Sequence, residues 1–258
     1  MSPFTVIIPA RLHSSRLPGK PLADIAGKPM VVRVAERAMQ SGANRVVVAV
    51  DDESVQAACE AHGLTVVMTS PSHPTGTDRL AEAVQRLGLS DDTIVVNVQG
   101  DEPLMPTSVI AQVADLLYTR PDCAIATAAH PIADKDHFLN PNVVKVVIDE
   151  RGTALNFSRA PMPWPRDHFR DGKEGLPDGL PALHHLGLYA YRVRFLKKFP
   201  TLPQAPLEKF ESLEQLRALY YGERIAVLVL PDDLPAGVDT QADLDRVREY
   251  FRENPQWQ

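Results

Sequence analysis

The sequence predicts an α/β protein with a doubly wound, mostly parallel sheet and an inserted antiparallel subdomain. Apolar strands alternate with segments of helical periodicity over the first half of the chain, which is the order that builds a parallel sheet. After residue 129 the order changes, and two apolar runs separated by a short turn predict an antiparallel hairpin. We therefore expect a single domain over residues 1–258, with the inserted hairpin and loop at about 124–190.

The first half of the chain contributes most of the parallel strands. Apolar, β-branched runs predict strands, and apolar residues spaced three and four apart predict helices. Strands are expected at 4–8, 45–50, 64–68, 93–98 and 123–129, with helices at 28–40, 53–62, 77–87 and from 106 onward. Pro9 should end the first strand, because proline has no N–H for a ladder bond.

The second half mixes antiparallel strands, a long loop and helices. The hairpin is predicted from strands at 143–148 and 154–158. Residues 160–182 are rich in Pro, Gly and Asp and are expected to form a mobile loop that could act as a lid. Beyond it we expect a strand at 184–191, a helix at 207–221, a strand at 225–230 and a helix at 240–252.

Composition excludes several classes of function. The 258 residues carry a formal net charge of −6, without the basic stripe expected of a nucleic-acid partner. No apolar run approaches the roughly 20 residues of a membrane span, so no membrane partner is expected. Cys59 and Cys123 fit no metal or redox spacing and are interpreted as core thiols. A reducing cytoplasm is the expected location.

The loop after the first strand concentrates positive charge. Arg11, Arg16 and Lys20 all precede Asp24, the first acidic residue of the chain. At the carboxyl end of a central α/β strand, such a loop favours a polyanionic ligand; the alternative is an ordinary basic surface loop. A Walker loop is excluded, because Pro21 stands where a magnesium-binding hydroxyl should be.

Two acidic residues are candidates for a metal site. Asp101 follows the apolar strand at 93–98 in a Gly-Asp-Glu-Pro turn, although a turn aspartate can also simply bond its own backbone. Asp239 precedes the last helix, where Thr240 and Asp243 form a capping-box pattern; Asp239 could itself be the cap. Together with phosphate oxygens, two carboxylates would suit Mg²⁺, which prefers oxygen ligands.

The first loop, Pro-Ala-Arg-x-x-Ser-x-Arg-Leu-Pro-Gly-Lys-Pro-Leu (9–22), resembles the opening signature of the 3-deoxy-manno-octulosonate (Kdo) cytidylyltransferases, the CMP-Kdo synthetases. Six further blocks are similar to motifs of that family and occur in the same order, at 73–79, 96–103, 156–160, 185–189, 213–217 and 237–240. The resemblance covers nearly the whole chain. It implies a Rossmann-like nucleotidyltransferase fold and a magnesium-dependent homodimer that couples CTP and Kdo for lipopolysaccharide synthesis.

The resemblance also implies roles for individual residues. The CTP-binding set would be Arg11, Ser14, Arg16, Lys20, His73, Thr75, Gly76 and Gln99, and the catalytic set Lys20, Asp101 and Asp239, with the two aspartates as metal ligands. The family usually has Ser where this chain has Thr75. The inserted subdomain would serve sugar binding and dimerisation.

On the sugar side the resemblance points to Arg159, His185, Tyr189, Glu214 and Gln215. Each has an ordinary alternative on its residues alone. Arg159 could form a surface ion pair, His185 and Tyr189 could be half-buried polar residues on one strand face, and Glu214 and Gln215 could lie on the solvated face of their helix. His184 departs from the basic residue of relatives, and no role is assigned to it.

Three other functions compete with this interpretation. A related cytidylyltransferase could act on another acid sugar, such as a sialic acid or an amino-Kdo. A glycosyltransferase would usually carry an Asp-x-Asp motif, whereas this chain has Asp101-Glu-Pro-Leu. A catalytically silent nucleotide sensor would be expected to lose an acidic ligand, and both carboxylates are present.

Overall fold

The first half of the chain forms the alternating strands and helices that the sequence predicts. The computed structural model describes residues 2–13 and 16–257. Cys59 and Cys123 are buried in it, as expected. The elements of this half are β1 (Thr5–Ala10), β2 (Asp24–Ile25), β3 (Lys28–Pro29), α1 (Met30–Met39), β4 (Arg45–Val50), α2 (Glu53–Ala61), β5 (Thr65–Met68), α3 (Gly76–Arg86), β6 (Ile94–Asn97) and α4 (Thr107–Thr119).

The second half adds more antiparallel strands and short helices. Its elements are β7 (Ile125–Pro131), α5 (Lys135–Leu139), β8 (Lys145–Ile148), β9 (Ala154–Ser158), α6 (Arg166–Arg170), β10 (Leu183–Arg192), α7 (Val193–Lys198), α8 (Pro206–Glu211), α9 (Gln215–Tyr220), β11 (Ile225–Val229) and α10 (Gln241–Glu253). Among the described residues, no helix is long and apolar enough to cross a membrane.

The main sheet is mostly parallel, which confirms the predicted fold class. Its strands run in the order β11-β7-β10-β6-β1-β4-β5, and β8 and β9 extend it beside β10. Within that path β10 alone is antiparallel to its neighbours, β6 and β7. Buried residues of α1, α2 and α4 pack on one face, and those of α3, α7 and α9 on the other. The sheet is therefore covered by helices on both faces, as in other doubly wound folds.

The prediction that Pro9 ends the first strand is wrong. β1 continues to Ala10, and Pro9 is opposite Ala49 of β4. The Phe4 carbonyl accepts a bond from Asn44, on the β4 side, so by alternation the nitrogen of Pro9 faces β6. Pairing with β6 has already ended at Ile7. The missing N–H of Pro9 therefore costs the sheet no hydrogen bond.

The predicted helix at 207–221 is in fact two helices. Ser212 has a left-handed backbone (φ 51°) and separates α8 from α9. Glu211 explains the break, because its carboxylate accepts bonds from Ser158 (2.6 Å) and from the Arg159 N–H (2.8 Å). The apolar residues whose spacing predicts a single helix therefore do not share one buried face, since Phe210 is 91% exposed whereas Leu213 is buried.

The segment predicted as an insertion is tied closely to the main sheet. Its outer strands, β7 and β10, lie inside that sheet, and the hairpin β8–β9 joins it at the start of β10. The loop at 160–182 contains the short helix α6, which the sequence did not predict. Its role as a lid, and the role of residues 124–190 in sugar binding and dimerisation, remain predictions.

Candidate active site

A basic cleft lies where β1 and β6 end. Its lining includes Arg11, Arg16, Lys20, Gln99 and Asp101, so the cations of the first loop meet the turn that follows β6. Gly100 lets the two strands approach, because a Cβ there would lie 2.8 Å from the carbonyl oxygen of Pro9. The four predicted CTP-binding residues in this set therefore share one cleft at the carboxyl edge of the sheet, where ligands bind in this fold class.

Lys20 is the point at which the two predicted metal ligands meet. Its Nζ donates to Oδ2 of Asp101 (2.5 Å) and to Oδ1 of Asp239 (3.1 Å). It also donates to the Val238 carbonyl (2.8 Å), and Arg16 forms an ion pair with Asp239 at 2.9 Å. Carboxylates more than a hundred residues apart in sequence thus contact one ammonium group. The arrangement is an alternation of positive and negative charge suited to holding a polyphosphate beside a cation.

The connection before α10 is held in position by its own hydrogen bonds. Thr240 caps α10, and the capping box with Asp243 is complete. Asp239 is therefore not the cap of α10, in agreement with the capping-box pattern of the sequence. The Val238 N–H donates to the Asp101 carbonyl at 2.8 Å, which joins the two acidic segments through the backbone. Both carboxylates could supply oxygen ligands to a divalent cation.

Glu102, next to Asp101, has an unusual environment. Burial, and secondarily the charge of Asp101, raises the pKa of Glu102 to about 8. Its Oε2 is buried without a hydrogen-bond partner among the described residues. A carboxyl that stays protonated near neutral pH adds no further negative charge beside Asp101.

A buried ion pair supports the first loop, and sequence reasoning did not find it. Arg79 is fully buried and donates to Oδ2 of Asp51 (2.9 Å) and to the Thr69 hydroxyl (2.7 Å). The other oxygen of Asp51 accepts the N–H of Leu12, at 3.1 Å, inside the basic loop. Asp51 directly follows β4 at the carboxyl edge of the sheet. Asp101 has the equivalent position after β6, so the sequence pattern that makes Asp101 a candidate also applies to Asp51.

Three other predicted CTP-binding residues lie at the start of α3. Thr75 caps this helix by accepting the Asp78 N–H, and it donates to the Asp78 carboxylate at 2.6 Å. Gly76 is the first helical residue, and Nε2 of His73 lies within hydrogen-bond distance of the Glu82 carboxylate. The Thr75 hydroxyl therefore has a structural task in the helix cap. Ser14 lies outside the described residues.

A second pocket, mostly apolar, brings together three of the predicted sugar-binding residues. Tyr189, Glu214 and Gln215 line it, beside Thr77 and Tyr191. The Thr77 hydroxyl donates to Glu214 at 2.7 Å. Gln215 is 8% exposed, and its Nε2 has no partner among the described residues. A buried amide without a partner, on a residue that lines a pocket, is suited to binding a ligand hydroxyl.

The two pockets involve neighbouring strands, since β10 lines the apolar pocket and the turn after β6 lines the basic cleft. Asn97, at the end of β6, is opposite Tyr189 of β10, and Gln99 of the basic cleft follows two residues later. Asn97 is buried, and its Oδ1 has no partner among the described residues. A ligand in the apolar pocket would therefore lie on the opposite side of β6 from the one that β1 occupies.

His185 and Arg159 do not line that pocket. His185 shares a strand face with Tyr189, as predicted, with ring centroids 5.3 Å apart, and it contacts the Thr127 hydroxyl at 3.0 Å. Arg159 directs its Nε to the carbonyl of Glu211 (2.6 Å) and its Nη1 to that of Pro141 (3.0 Å). In this arrangement Arg159 braces the junction that ends α8.

The burial of His185 makes a testable prediction about acid stability. Burial, and secondarily the charge of His184, lowers the pKa of His185 to about 3 from 6.5. Below pH 6.5 the imidazole is protonated in the unfolded chain but stays neutral in the folded chain. The contribution of His185 to the free energy of unfolding is therefore fully present above pH 6.5 and is lost as the pH falls toward 3. At pH 5 the loss is about 2 kcal/mol.

We expect His185→Gln to remove this part of the pH dependence. Urea unfolding near pH 7.5 and near pH 5 would measure it, with the exposed His62→Gln as the matched control. The same drop in both variants between the two pH values would contradict the assignment.

Comparisons with known proteins show the family to which the chain belongs. The model of the family described as cytidylyltransferase matches residues 5–225. The chain belongs to the cytidylyltransferase family. It is also similar to a solved structure of CMP:2-keto-3-deoxy-manno-octonic acid synthetase complexed with CTP, at 40% identity and a TM-score of 0.87. The match covers 98% of this chain and 99% of the other, so it includes both pockets.

Membership in this family bears on the competing functions. A cytidylyltransferase transfers a nucleotidyl group, which counts against a glycosyltransferase that consumes a finished nucleotide sugar. The nucleotidyltransferase fold predicted from the sequence is confirmed over the full length of the match. The roles of individual site residues stay predictions that rest on the geometry above.

Proposed function

We propose that this cytidylyltransferase couples CTP to Kdo, giving CMP-Kdo and pyrophosphate, and so activates Kdo for lipopolysaccharide synthesis. The observation that carries the proposal is the convergence of Lys20, Asp101 and Asp239 in a basic cleft. That cleft belongs to a chain 40% identical, over 98% of its length, to a Kdo-activating synthetase bound to CTP.

In the proposed reaction the anomeric 2-hydroxyl of Kdo attacks the α-phosphorus of CTP. The new bond joins that oxygen to phosphorus, the bond to the β-phosphate oxygen breaks, and the hydroxyl proton passes to solvent. Such a displacement needs no protein nucleophile and depends on positioning and charge neutralisation. Arg16 and Lys20 supply positive charge where pyrophosphate leaves.

Magnesium belongs to the same proposal. Asp101 and Asp239 fit it, because both offer carboxylate oxygens close enough to contact one ammonium group. A bound Mg²⁺ would withdraw charge from the α-phosphate and lower the pKa of the attacking hydroxyl. Lys20 would then balance the negative charge that remains on the two carboxylates and the phosphates.

The apolar pocket is the proposed site for the sugar acid. Glu214 and Gln215 would bind its hydroxyl groups, and the apolar wall would exclude water from the reacting phosphate. Tyr189 and Tyr191 stay protonated, because burial raises the pKa of both phenols. They are therefore available as neutral hydrogen-bond donors.

A homodimer is proposed as the assembled form, in a cytoplasmic location. Large apolar side chains in the 124–190 segment are exposed, among them Leu155 (63%), Trp164 (56%) and Leu139 (42%). A second copy would cover such residues. Sedimentation equilibrium would measure the assembly, and Leu155→Glu should weaken it.

Pyrophosphate release from CTP, Mg²⁺ and a panel of acid sugars tests the proposed reaction. Kdo should be the preferred acceptor over amino-Kdo and sialic acid. A higher kcat/KM with one of those sugars would show that this sugar, and not Kdo, is the preferred substrate. Binding of CTP without turnover on any sugar would favour a silent sensor instead.

Glu214→Gln tests the sugar side separately. Loss of a hydrogen bond to a charged group costs about 1.5–3 kcal/mol, so the KM for the sugar should rise about 10-fold or more while the KM for CTP stays unchanged. Glu223→Gln is the matched control, since Glu223 forms a surface ion pair with Lys198. A rise in the KM for CTP alone would place Glu214 on the nucleotide side.

A further inference from the structure

A cluster of two histidines and an aspartate lies outside both pockets. His130, near the end of β7, is directly opposite His184, at the start of β10. Asp233 reaches them from the connection between β11 and α10. One nitrogen or oxygen atom from each of the three side chains lies within 4.8 Å of the other two.

Hydrogen bonding decides which atoms of this cluster carry lone pairs. Nδ1 of His130 lies 3.0 Å from the Pro131 carbonyl oxygen, which can only accept, so this nitrogen carries the proton. The lone pair of neutral His130 is then on Nε2. That atom lies 2.9 Å from Nδ1 of His184 and 3.0 Å from Oδ1 of Asp233. An imidazole lone pair and a carboxylate oxygen repel at this distance unless positive charge lies between them.

We propose that His130 Nε2, His184 Nδ1 and a carboxylate oxygen of Asp233 bind a divalent transition-metal ion of the Zn²⁺ class. Imidazole nitrogens with a carboxylate favour zinc-like ions over Mg²⁺, which takes oxygen ligands. The bond from His130 Nδ1 to the Pro131 carbonyl is the outer contact that typically orients a metal-binding histidine.

Two of the three separations between ligand atoms need only a small adjustment, and the third, which lies within 4.8 Å, would close as Asp233 moves. With metal–ligand bonds of about 2.0–2.1 Å, ligand atoms in a tetrahedral site lie about 3.3 Å apart, so the two short separations would open by a few tenths of an ångström. Asp233 can move, because its side chain is 63% exposed. Its exposure also leaves room for water to complete the coordination.

The position of Asp233 gives the metal a structural consequence for the active site. The connection that carries it is fastened at one end by the bond from Leu230 N–H to the Ala129 carbonyl (2.8 Å). At the other end it is fastened by the bond from Val238 N–H to the Asp101 carbonyl (2.8 Å). Directly after the second bond, the chain presents Asp239 to Lys20. A metal at Asp233 would fasten the middle of the segment to the sheet.

Cobalt is a suitable probe, since Co²⁺ reports its coordination by visible absorption. The full-length protein is stripped with a chelator, supplied with excess Mg²⁺ to occupy the basic cleft, and titrated with Co²⁺. We expect one saturable site per chain, displaced by Zn²⁺, and at least about 10-fold weaker in Asp233→Asn and in His184→Asn. His137→Asn, on an exposed histidine of α5, should bind like the wild type.

Two results would overturn the proposal. One is the absence of a saturable Co²⁺ band, which would leave a shared proton as the cation of the cluster. The other is equal affinity in the wild type and both variants. Asp233→Asn changes an exposed side chain, so its folding is not at issue. As a second readout, Zn²⁺ should slow hydrogen exchange at residues 231–238 in the wild type and not in Asp233→Asn; no difference would refute the fastening role.

Discussion

Replacing Asp101 by Asn should lower the kcat/KM of cytidylyl transfer by about 10³-fold or more. The substitution keeps the shape of the side chain and removes its charge. Lys20 then loses its closest ion pair, at 2.5 Å, and the proposed magnesium site loses one of its two carboxylates. Pyrophosphate release with CTP and Kdo measures the effect.

The matched control is Asp92→Asn. Asp92 is 87% exposed and pairs only at the surface, with Arg194, so its loss should leave turnover unchanged. Circular dichroism and thermal unfolding should be nearly the same in both variants and the wild type, because Asp101 lies at the edge of the core. Near-normal pyrophosphate release by Asp101→Asn would show that the metal assignment is wrong.

Replacing Arg79 by Met should cause the largest loss of stability, about 3–5 kcal/mol. The guanidinium is fully buried and its partner Asp51 has a side chain only 8% exposed. Removing one member leaves the other charge buried without compensation. Asp51, which accepts the Leu12 N–H, would lose the guanidinium that holds it in position, so the KM for CTP should rise together with the loss of stability.

Urea unfolding of two further variants separates these contributions. Arg86→Met, on the same helix, removes a surface ion pair with Glu82 whose arginine is 54% exposed, and it should cost less than about 1 kcal/mol. The double variant Asp51→Asn/Arg79→Met should be more stable than Arg79→Met alone, because it leaves no unpaired charge. Equal stability of Arg79→Met and wild type would refute the argument.

Much of the fold follows from local patterns in the sequence. Residues 46–50 are apolar and mostly β-branched and, with Arg45, form β4 with the predicted bounds, and Thr240 with Asp243 forms the predicted cap of α10. The cations of the first loop and Asp101 both adjoin central strands. Because parallel strands end at a common edge, the meeting of these groups could be expected.

The sequence alone determined the alternating strands and helices and the residue types of the basic cleft, because both depend on neighbours a few positions apart. The tertiary structure decided what distant segments do to one another. Periodicity predicts one helix at 207–221, and a tertiary contact, the packing of Glu211 against Ser158 and Arg159, breaks it. The burial of Arg79 beside Asp51 and the meeting of His184 with His130 likewise depend on which strands become neighbours, and no local pattern encodes that choice.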